Sequence, residues 1–453
     1  MADQYDVIVI GGGTAGLKIA MHAASSKLKT AMIDPGALGG TCLNTGCIPS
    51  KAMLQASHLF HQTNNLEEFG ITATAKFDFK KVLARAQGMV DYGQKSIEMS
   101  IRNPNLTTIR EPAEFINDTT VKAGDKELTA KTIIISTGSK NFIPPIKGLD
   151  NTDYITNENI LQTKKFPKKV VCIGGGYIAM EYATFFNELG AQVTVLERLP
   201  TILGLIDEDV SSTLHKAYEE EGMTIKTGIN IIEVSNKTIT FNDLADKNSK
   251  QETINADAIV VATGRIPNIE GLQLEKAGIK LNDKKGIKVN EQFQTTNKNV
   301  YAIGDVIGEA LFAHAASREA HIIIDNIFNK ASRKLNFDLI PWAVFTHPPI
   351  AGIGLSEKEA QKKKVNYRLF KANFARAAKT RIENESRGFM KILTDKAGKI
   401  LGVTMMGLRA DELIHEYVAV MNSTSPTIET IQNTIHVHPT IAEVAETLRE
   451  KSR

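Results

Sequence analysis

The chain has 453 residues, which at roughly 150 residues per domain makes room for about three domains, each with its own core. Its 54 Lys and Arg against 51 Asp and Glu leave a net charge of +3, too weak a bias to point to nucleic acid or an anionic membrane as partner. Three cysteines exclude a disulfide scaffold and a four-cysteine zinc site, and no apolar run approaches the ~18 residues of a membrane helix. The chain opens directly into a strand-like segment without a basic-then-apolar leader, so a soluble, cytoplasmic protein is expected.

From the N-terminus, Asp6 to Ile10 reads as a strand that leads into Gly11-Gly12-Gly13-Thr14-Ala15-Gly16. A helical stretch to about Ser26 follows, then a second strand from Lys29 to Asp34. The same pattern returns later. Lys169 to Ile173 leads into Gly174-Gly175-Gly176-Tyr177-Ile178-Ala179, a helical stretch to Leu189 with Gly190 as C-cap, and Gln192 to Glu197. In such βαβ units Gly11 and Gly174 permit the tight turn, and Gly13 and Gly176 let the backbone approach a pyrophosphate at the helix N-terminus. Gly16 and Ala179 let helix pack on strand, and Asp34 and Glu197, at the same offset from the middle glycine, are placed to accept a ribose hydroxyl bond. A lone glycine cluster also serves ordinary turns, but here the strand before, the helix after and the acid recur twice. Each unit is followed by an apolar run ending in glycine, Thr132 to Gly138 and Ala258 to Gly264. Two dinucleotide sites are expected, one for a flavin and one for a nicotinamide. Glu197 would pair with the free 2′-hydroxyl of NAD and repel the extra phosphate of NADP, whereas Arg198 beside it could reach that phosphate unless it is a solvated strand-end residue.

Cys42 and Cys47 lie in Gly39-Gly40-Thr41-Cys42-Leu43-Asn44-Thr45-Gly46-Cys47-Ile48-Pro49-Ser50-Lys51. Two thiols so spaced beside a two-electron cofactor can cycle between dithiol and disulfide. Lys51 and the helical pattern of Ala52 to His61 offer the cation and helix N-terminus that hold one sulfur as thiolate. A structural bridge or two buried thiols is the other reading of the pair, one that a reducing compartment disfavours. Further on, Tyr301-Ala302-Ile303-Gly304-Asp305 reads as a strand and turn. Glu357 to Lys364 reads as a solvated helical face. From Ile340 the pattern becomes strands near Val365 to Phe374, Gly388 to Thr394 and Ile400 to Gly407, joined by an Asp395-Lys396-Ala397-Gly398 turn, then helices after Asp411 and Pro426. That is an antiparallel sheet with helices on one face. In His436-Val437-His438, two histidines two apart suit surface residues, metal ligands or a base.

These motifs together resemble the flavin-dependent pyridine nucleotide-disulfide oxidoreductases, from Asp6 to Glu443. The cysteine motif is most similar to the dihydrolipoamide dehydrogenase version, since glutathione reductases usually carry valine and lysine where this chain has Ile48 and Ser50. The resemblance implies an α/β fold with two Rossmann-like dinucleotide-binding domains and a C-terminal α+β dimerisation domain. Residues 1–147 would bind FAD with 269–336 returning to them, 148–268 would bind NAD, and 337–453 would form the interface. It makes Cys42 the outer thiol that exchanges with substrate and Cys47 the inner thiol at the flavin. Lys51 would lie near the flavin N5 and pair with Glu181, Tyr177 would cover the nicotinamide pocket, and Asp305 would bond the ribityl chain. Ala113, Gly138 and Ala313 join Gly11, Gly13, Gly16 and Asp34 on the FAD side, and Gly264 joins Gly174, Gly176 and Glu197 on the NAD side. His438, oriented by Glu443, would be the base, reaching the disulfide from the opposite subunit of a homodimer. No resident metal is implied.

The implied reaction is oxidation of dihydrolipoamide to lipoamide with reduction of NAD+ through a Cys42–Cys47 disulfide. The dithiol would be a small molecule or a lipoyl domain, with a 2-oxoacid dehydrogenase complex as candidate assembly. Reduction of another disulfide or of a metal ion is the alternative within the family, although mercuric reductases and large thioredoxin reductases carry an extra C-terminal cysteine pair that Leu448 to Arg453 lacks. A soluble transhydrogenase would not need Cys42 and Cys47, and a purely structural docking subunit would have no use for the whole redox set. Asp34 replaces a more usual glutamate, Pro349 stands where an acid is common, and Ala313-His314-Ala315-Ala316-Ser317 departs from an alanine-histidine-lysine-alanine version. These departures bear on substrate rather than on the redox core.

Overall fold

Apolar strands alternating with glycine turns build the first sheet of the computed structural model, which describes residues 2–246 and 250–451. The last two residues of the C-terminal run thus lie outside the described residues. Leu106–Ile109, Thr30–Ile33, Asp3–Ile10 and Lys126–Ile135 run side by side and parallel in that order. The long strand Lys126–Ile135 is shared. Its first half pairs antiparallel with Thr120–Ala123, and its second half pairs parallel with Val300–Ala302, so a distant segment of chain returns to this sheet. Val7 to Ile10 and Ile133 to Ile135 are buried almost completely, as parallel strands covered on both faces must be.

The N-terminal segment contributes α1 (Thr14–Ser25), α2 (Gly40–Asn44), α3 (Cys47–Thr63) and α4 (Phe79–Ser100) to this part, and the returning segment the helix Ala313–Ile327, which packs on α1. The 22-residue α4 falls where the sequence reading placed no element. It buries Phe79, Leu83, Ala86 and Val90, one stripe at helical spacing, and Asp78 caps it by accepting from the Lys81 N–H at 3.2 Å.

The second βαβ unit forms a four-stranded parallel sheet, in the order Thr224–Lys226, Gln192–Leu196, Lys169–Ile173 and Ala258–Val261. α5 (Tyr177–Glu188) and α6 (Glu208–Glu220) accompany it, with a three-stranded antiparallel sheet from Ile229 to Asn255 alongside. Ser139–Asn141 pairs with Arg265–Pro267, so the segments that follow the two parallel sheets meet. The C-terminal sheet has six antiparallel strands, in the order Trp342–Val344, Ile350–Gly354, Ile400–Met406, Phe389–Thr394, Arg368–Asn373 and Arg449–Lys451. Helix Ala410–Met421 packs on it. Three of these strands were expected; the other three are only three to five residues long, too short for alternation to announce them. Val344, Ile350, Phe389 and Met406 join one apolar cluster with α3 and α5, which ties this sheet to the nucleotide units. The whole is an α/β fold with two Rossmann-like sheets. Among the described residues no helix is long and apolar enough to cross a membrane.

Close packing of α1 on the first strand explains Gly16. A Cβ there would lie 1.9 Å from the Gly11 carbonyl oxygen and 2.4 Å from Ser136 Oγ. Gly16→Val is therefore expected to destabilise the protein by at least about 1–3 kcal/mol and to lower its flavin content, measured by thermal unfolding and by absorbance of the purified protein.

Candidate active site

α1 and α5 both begin directly after a glycine, Gly13 and Gly176, with no side chain capping their first N–H groups. Those donors open into one cavity of about 1900 Å³, bordered by Gly11, Gly13, Asp34, Gly138, Asp305 and Ala313 on one side. Gly174, Gly176, Tyr177, Glu181, Glu197 and Gly264 border it on the other. A Cβ added at Gly138, Gly176 or Gly264 would meet nothing within 4 Å, so bare backbone faces open space where a pyrophosphate needs it. The residues thus fit two dinucleotides. Gly16 lies under this cradle as a packing residue. Ala113, half-buried, opens the strand Ala113–Phe115, which pairs with Thr120–Ala123.

The two terminal acids do the same local work. Asp34 accepts from the N–H groups of Gly12 (2.6 Å) and Gly36 (2.7 Å). Glu197 accepts from those of Gly175 and, at 2.6 Å, Leu199. Each carboxylate keeps acceptor capacity for a ribose hydroxyl. Arg198 is exposed at the cavity rim.

Cys42 sits in α2, and Cys47 is the first residue of α3, five residues earlier than the helical pattern suggested. Between them Gly46 lets the chain fold back, since a Cβ there would lie 2.8 Å from the Thr41 carbonyl oxygen. Both thiols are free here, with their sulfurs hydrogen-bonded to each other. The bond from Cys42 is the main cause that lowers the Cys47 thiol to about 7; Lys51 and the helix-start N–H help, against burial. Cys42 is pushed up by the same hydrogen bond, by burial and by the charge on Cys47. One proton therefore rests on Cys42 and the thiolate on Cys47. Lys51 Nζ lies 2.7 Å from Glu181 Oε2 and 4.4 Å from the Phe345 ring centre, while Glu181 Oε1 accepts from the Phe345 N–H at 3.2 Å. In the dithiol form, alkylation of Cys47 by iodoacetamide should accelerate through a pH of about 7 and level off above it. Lys51→Gln should move that inflection up by roughly one unit.

Asp305 lies in the turn Gly304–Ile307 and accepts from Ser139 Oγ at 2.6 Å. Burial pushes its carboxyl above the usual range, against the Ser139 bond and the Arg265 charge. Arg265 Nε donates to Ser139 Oγ (2.8 Å) and its Nη1 to Asn141 Oδ1 (2.9 Å). Neither Ser139 nor Arg265 was anticipated, though each directly follows the glycine that ends an apolar run. Ala313 opens the helix Ala313–Ile327 at the cavity wall. The Tyr177 ring lies 5.9 Å from that of Trp342, another wall residue the sequence did not single out, and burial raises the phenol to about 12.

His438 Nδ1 lies 2.7 Å from Glu443 Oε1, and Glu443 Oε2 accepts from the Thr440 N–H at 2.7 Å. Those two bonds hold the Glu443 carboxyl below its ordinary value. The dyad is open to solvent, with His438 side chain 73% exposed, and does not border the cavity that holds the cysteines. Ile435 and Val437 beside it are exposed apolar side chains.

Residues 5–320 match the family described as pyridine nucleotide-disulphide oxidoreductase, and residues 340–449 match its dimerisation domain. The dihydrolipoyl dehydrogenase of Bacillus subtilis is 33% identical, covering 98% of this chain and 97% of that protein. The mercuric reductase of Staphylococcus aureus is 31% identical, over 97% of this chain and 81% of its own. A solved structure, the Cu(II) complex of the HOCl-induced flavoprotein disulfide reductase RclA from Escherichia coli, superposes with a TM-score of 0.87 at 26% identity, covering 98% of this chain and 99% of that one. With its paired thiols at the meeting of two dinucleotide cradles, the chain belongs to the pyridine nucleotide-disulphide oxidoreductases, as a flavoprotein disulfide oxidoreductase.

Proposed function

We propose that the chain oxidises a dihydrolipoyl dithiol to its cyclic disulfide, with FAD and NAD+ as the electron relay. The observation that carries this reading is the Cys42–Cys47 pair, with its thiolate on Cys47 beside the Lys51–Glu181 ion pair, in the cavity that both glycine cradles border. His438 of the partner subunit takes the proton of the first substrate thiol, and Glu443 of the partner subunit holds that imidazole in position. The substrate thiolate attacks Cys42 Sγ, the Cys42–Cys47 bond breaks, and Cys47 leaves as a thiolate stabilised by Lys51. The second substrate thiol then attacks its own mixed-disulfide sulfur, releasing the cyclic disulfide and Cys42, which takes up a proton. FAD and NAD, when bound, supply the two-electron chemistry that restores the disulfide. Asp305, Ser139 and the α1 N-terminus would hold FAD; the α5 N-terminus, Glu197 and Tyr177 would hold NAD. A lipoyl domain of a 2-oxoacid dehydrogenase complex is the natural dithiol donor, and a homodimer built through the C-terminal sheet completes each site.

The second reading runs the same relay backwards, to reduce another disulfide or a metal ion. It is supported by the identity to mercuric reductases, which nearly equals that to dihydrolipoyl dehydrogenases. The chain spans 97% of the Bacillus protein but 81% of the mercuric reductase, which favours the first. A panel of dihydrolipoamide, oxidised glutathione and Hg(II), each with NAD(H) and NADP(H), separates them. Fastest turnover is expected with dihydrolipoamide and NAD+; faster reduction of glutathione disulfide by NADPH overturns both the substrate and the role of Glu197. Glu197→Gln keeps an acceptor for the Gly175 N–H but removes the charge that faces a 2′-phosphate. It should narrow the NAD(H) preference by roughly 10-fold or more, mainly through kcat/KM with NADPH.

A further inference from the structure

Eleven residues beyond Cys47, about three turns along α3, the same helix carries His58, with His61 a turn further. His347, from the loop between Trp342–Val344 and Ile350–Gly354, comes between them. Its ring centre is 4.6 Å from that of His58 and 5.4 Å from that of His61. Glu188, the last residue of α5, completes the group with Oε1 3.3 Å from His58 Nδ1. None of these four borders the cavity of the redox site. One donor atom each from His58, Glu188 and His347 falls within 4.8 Å of the others, and the same holds for His61, Glu221 and His347.

The cluster includes a buried carboxyl group. The Glu188 side chain is only 2% exposed, and among the described residues no Lys or Arg pairs with it. Its partners are Ser57 Oγ, donating at 2.5 Å, and the His58 ring. A carboxylate that far from water needs a positive partner. Glu221 and Glu385, by contrast, already share Arg387, at 2.6 and 2.5 Å. A metal cation held by imidazole nitrogens and by Glu188 would supply a permanent positive partner there. Gln62 Nε2 lies 3.1 Å from His58 Nε2 and orients that ring, and the His347 backbone N–H, donating to the Tyr218 hydroxyl at 3.2 Å, holds the loop that carries His347.

We propose that His58, His347 and Glu188 bind one divalent transition cation where α3, α5 and the His347 loop meet. Two imidazole nitrogens and one carboxylate, with a position left for water, suit zinc and its first-row neighbours rather than Mg²⁺ or Ca²⁺, which prefer oxygen. Bonds of about 2.0–2.1 Å place tetrahedral donors about 3.4 Å apart, a contraction that small side-chain rotations supply. The bound ion would clamp the far end of the helix that presents Cys47.

The test uses the oxidised enzyme as purified, with Cys42 and Cys47 joined and so unavailable as thiolates. After removal of metal by a chelator, Zn(II) is titrated by calorimetry, and zinc K-edge absorption reads the ligands. One Zn(II) per chain is expected, with nitrogen and oxygen neighbours at about 2.0–2.1 Å and no sulfur. His58→Ala/His347→Ala should weaken binding by roughly 100-fold or more while keeping dye reduction by NADH, which certifies its fold. The isosteric Glu188→Gln, which preserves packing, should weaken it by roughly 10-fold or more. Absence of uptake by the wild type, a sulfur shell, or unchanged affinity in Glu188→Gln overturns the proposal.

Discussion

Cys42→Ser is expected to reduce dihydrolipoamide-to-NAD+ turnover by roughly 10⁴-fold or more while leaving dye reduction by NADH within a factor of a few. A serine oxygen cannot form the mixed disulfide, so the route through which substrate electrons enter the protein is lost rather than slowed. The nicotinamide side of the cavity, bordered by Gly174, Gly176 and Tyr177, is left intact. Serine also keeps a hydroxyl that can donate to the Cys47 sulfur, which preserves the main cause that lowers that thiol to about 7. Steady-state rates of the two assays on one preparation check this. Equal loss in both would remove Cys42 from the substrate half-reaction and overturn its role as the exchanging sulfur.

His438→Ala carries the second large effect. General-base catalysis at a thiol contributes about 10²–10⁴-fold, so dithiol turnover should fall within that range with dye reduction again retained. Glu443→Gln, which keeps a hydrogen bond to the imidazole but removes its charge, should cost less. Within one chain His438 stands in solvent, away from the cavity of the cysteines, so the proposed action calls for a second copy. A mixed dimer reads this directly. Co-expressed Cys42→Ser and His438→Ala chains, each inactive alone, should form heterodimers in which one of two sites has both its cysteines and a partner histidine. Random pairing returns roughly a quarter of wild-type turnover. No recovery places the base in the same chain as the thiols and sinks the assignment in trans.

The glycine units were legible because their meaning is local. A turn that needs positive φ at Gly11 and Gly174, an uncapped helix start and an acid at fixed offset are all read within some thirty residues. α4 was not read, although Phe79, Leu83, Ala86 and Val90 recur at helical spacing, because its mean polarity hid the stripe. The short strands Trp342–Val344 and Arg449–Lys451 were not read either, since three residues hold no period and exist by pairing alone.

By itself the sequence determined the chemistry: two thiols, two nucleotide cradles, and a histidine with an acid five residues on. Only tertiary structure decided which groups share a field. Lys51 and Glu181, 130 residues apart, become an ion pair where α3 packs on α5. Ser139 reaches Asp305 with Arg265 bonded to Ser139 because two short strands pair, and His58, Glu188 and His347 converge because a loop of the C-terminal sheet lies over that helix pair. The physical reason is range. Backbone conformation is set by neighbours along the chain, whereas charge, hydrogen bonding and ligation act through space, between residues whose separation in sequence carries no information about their distance.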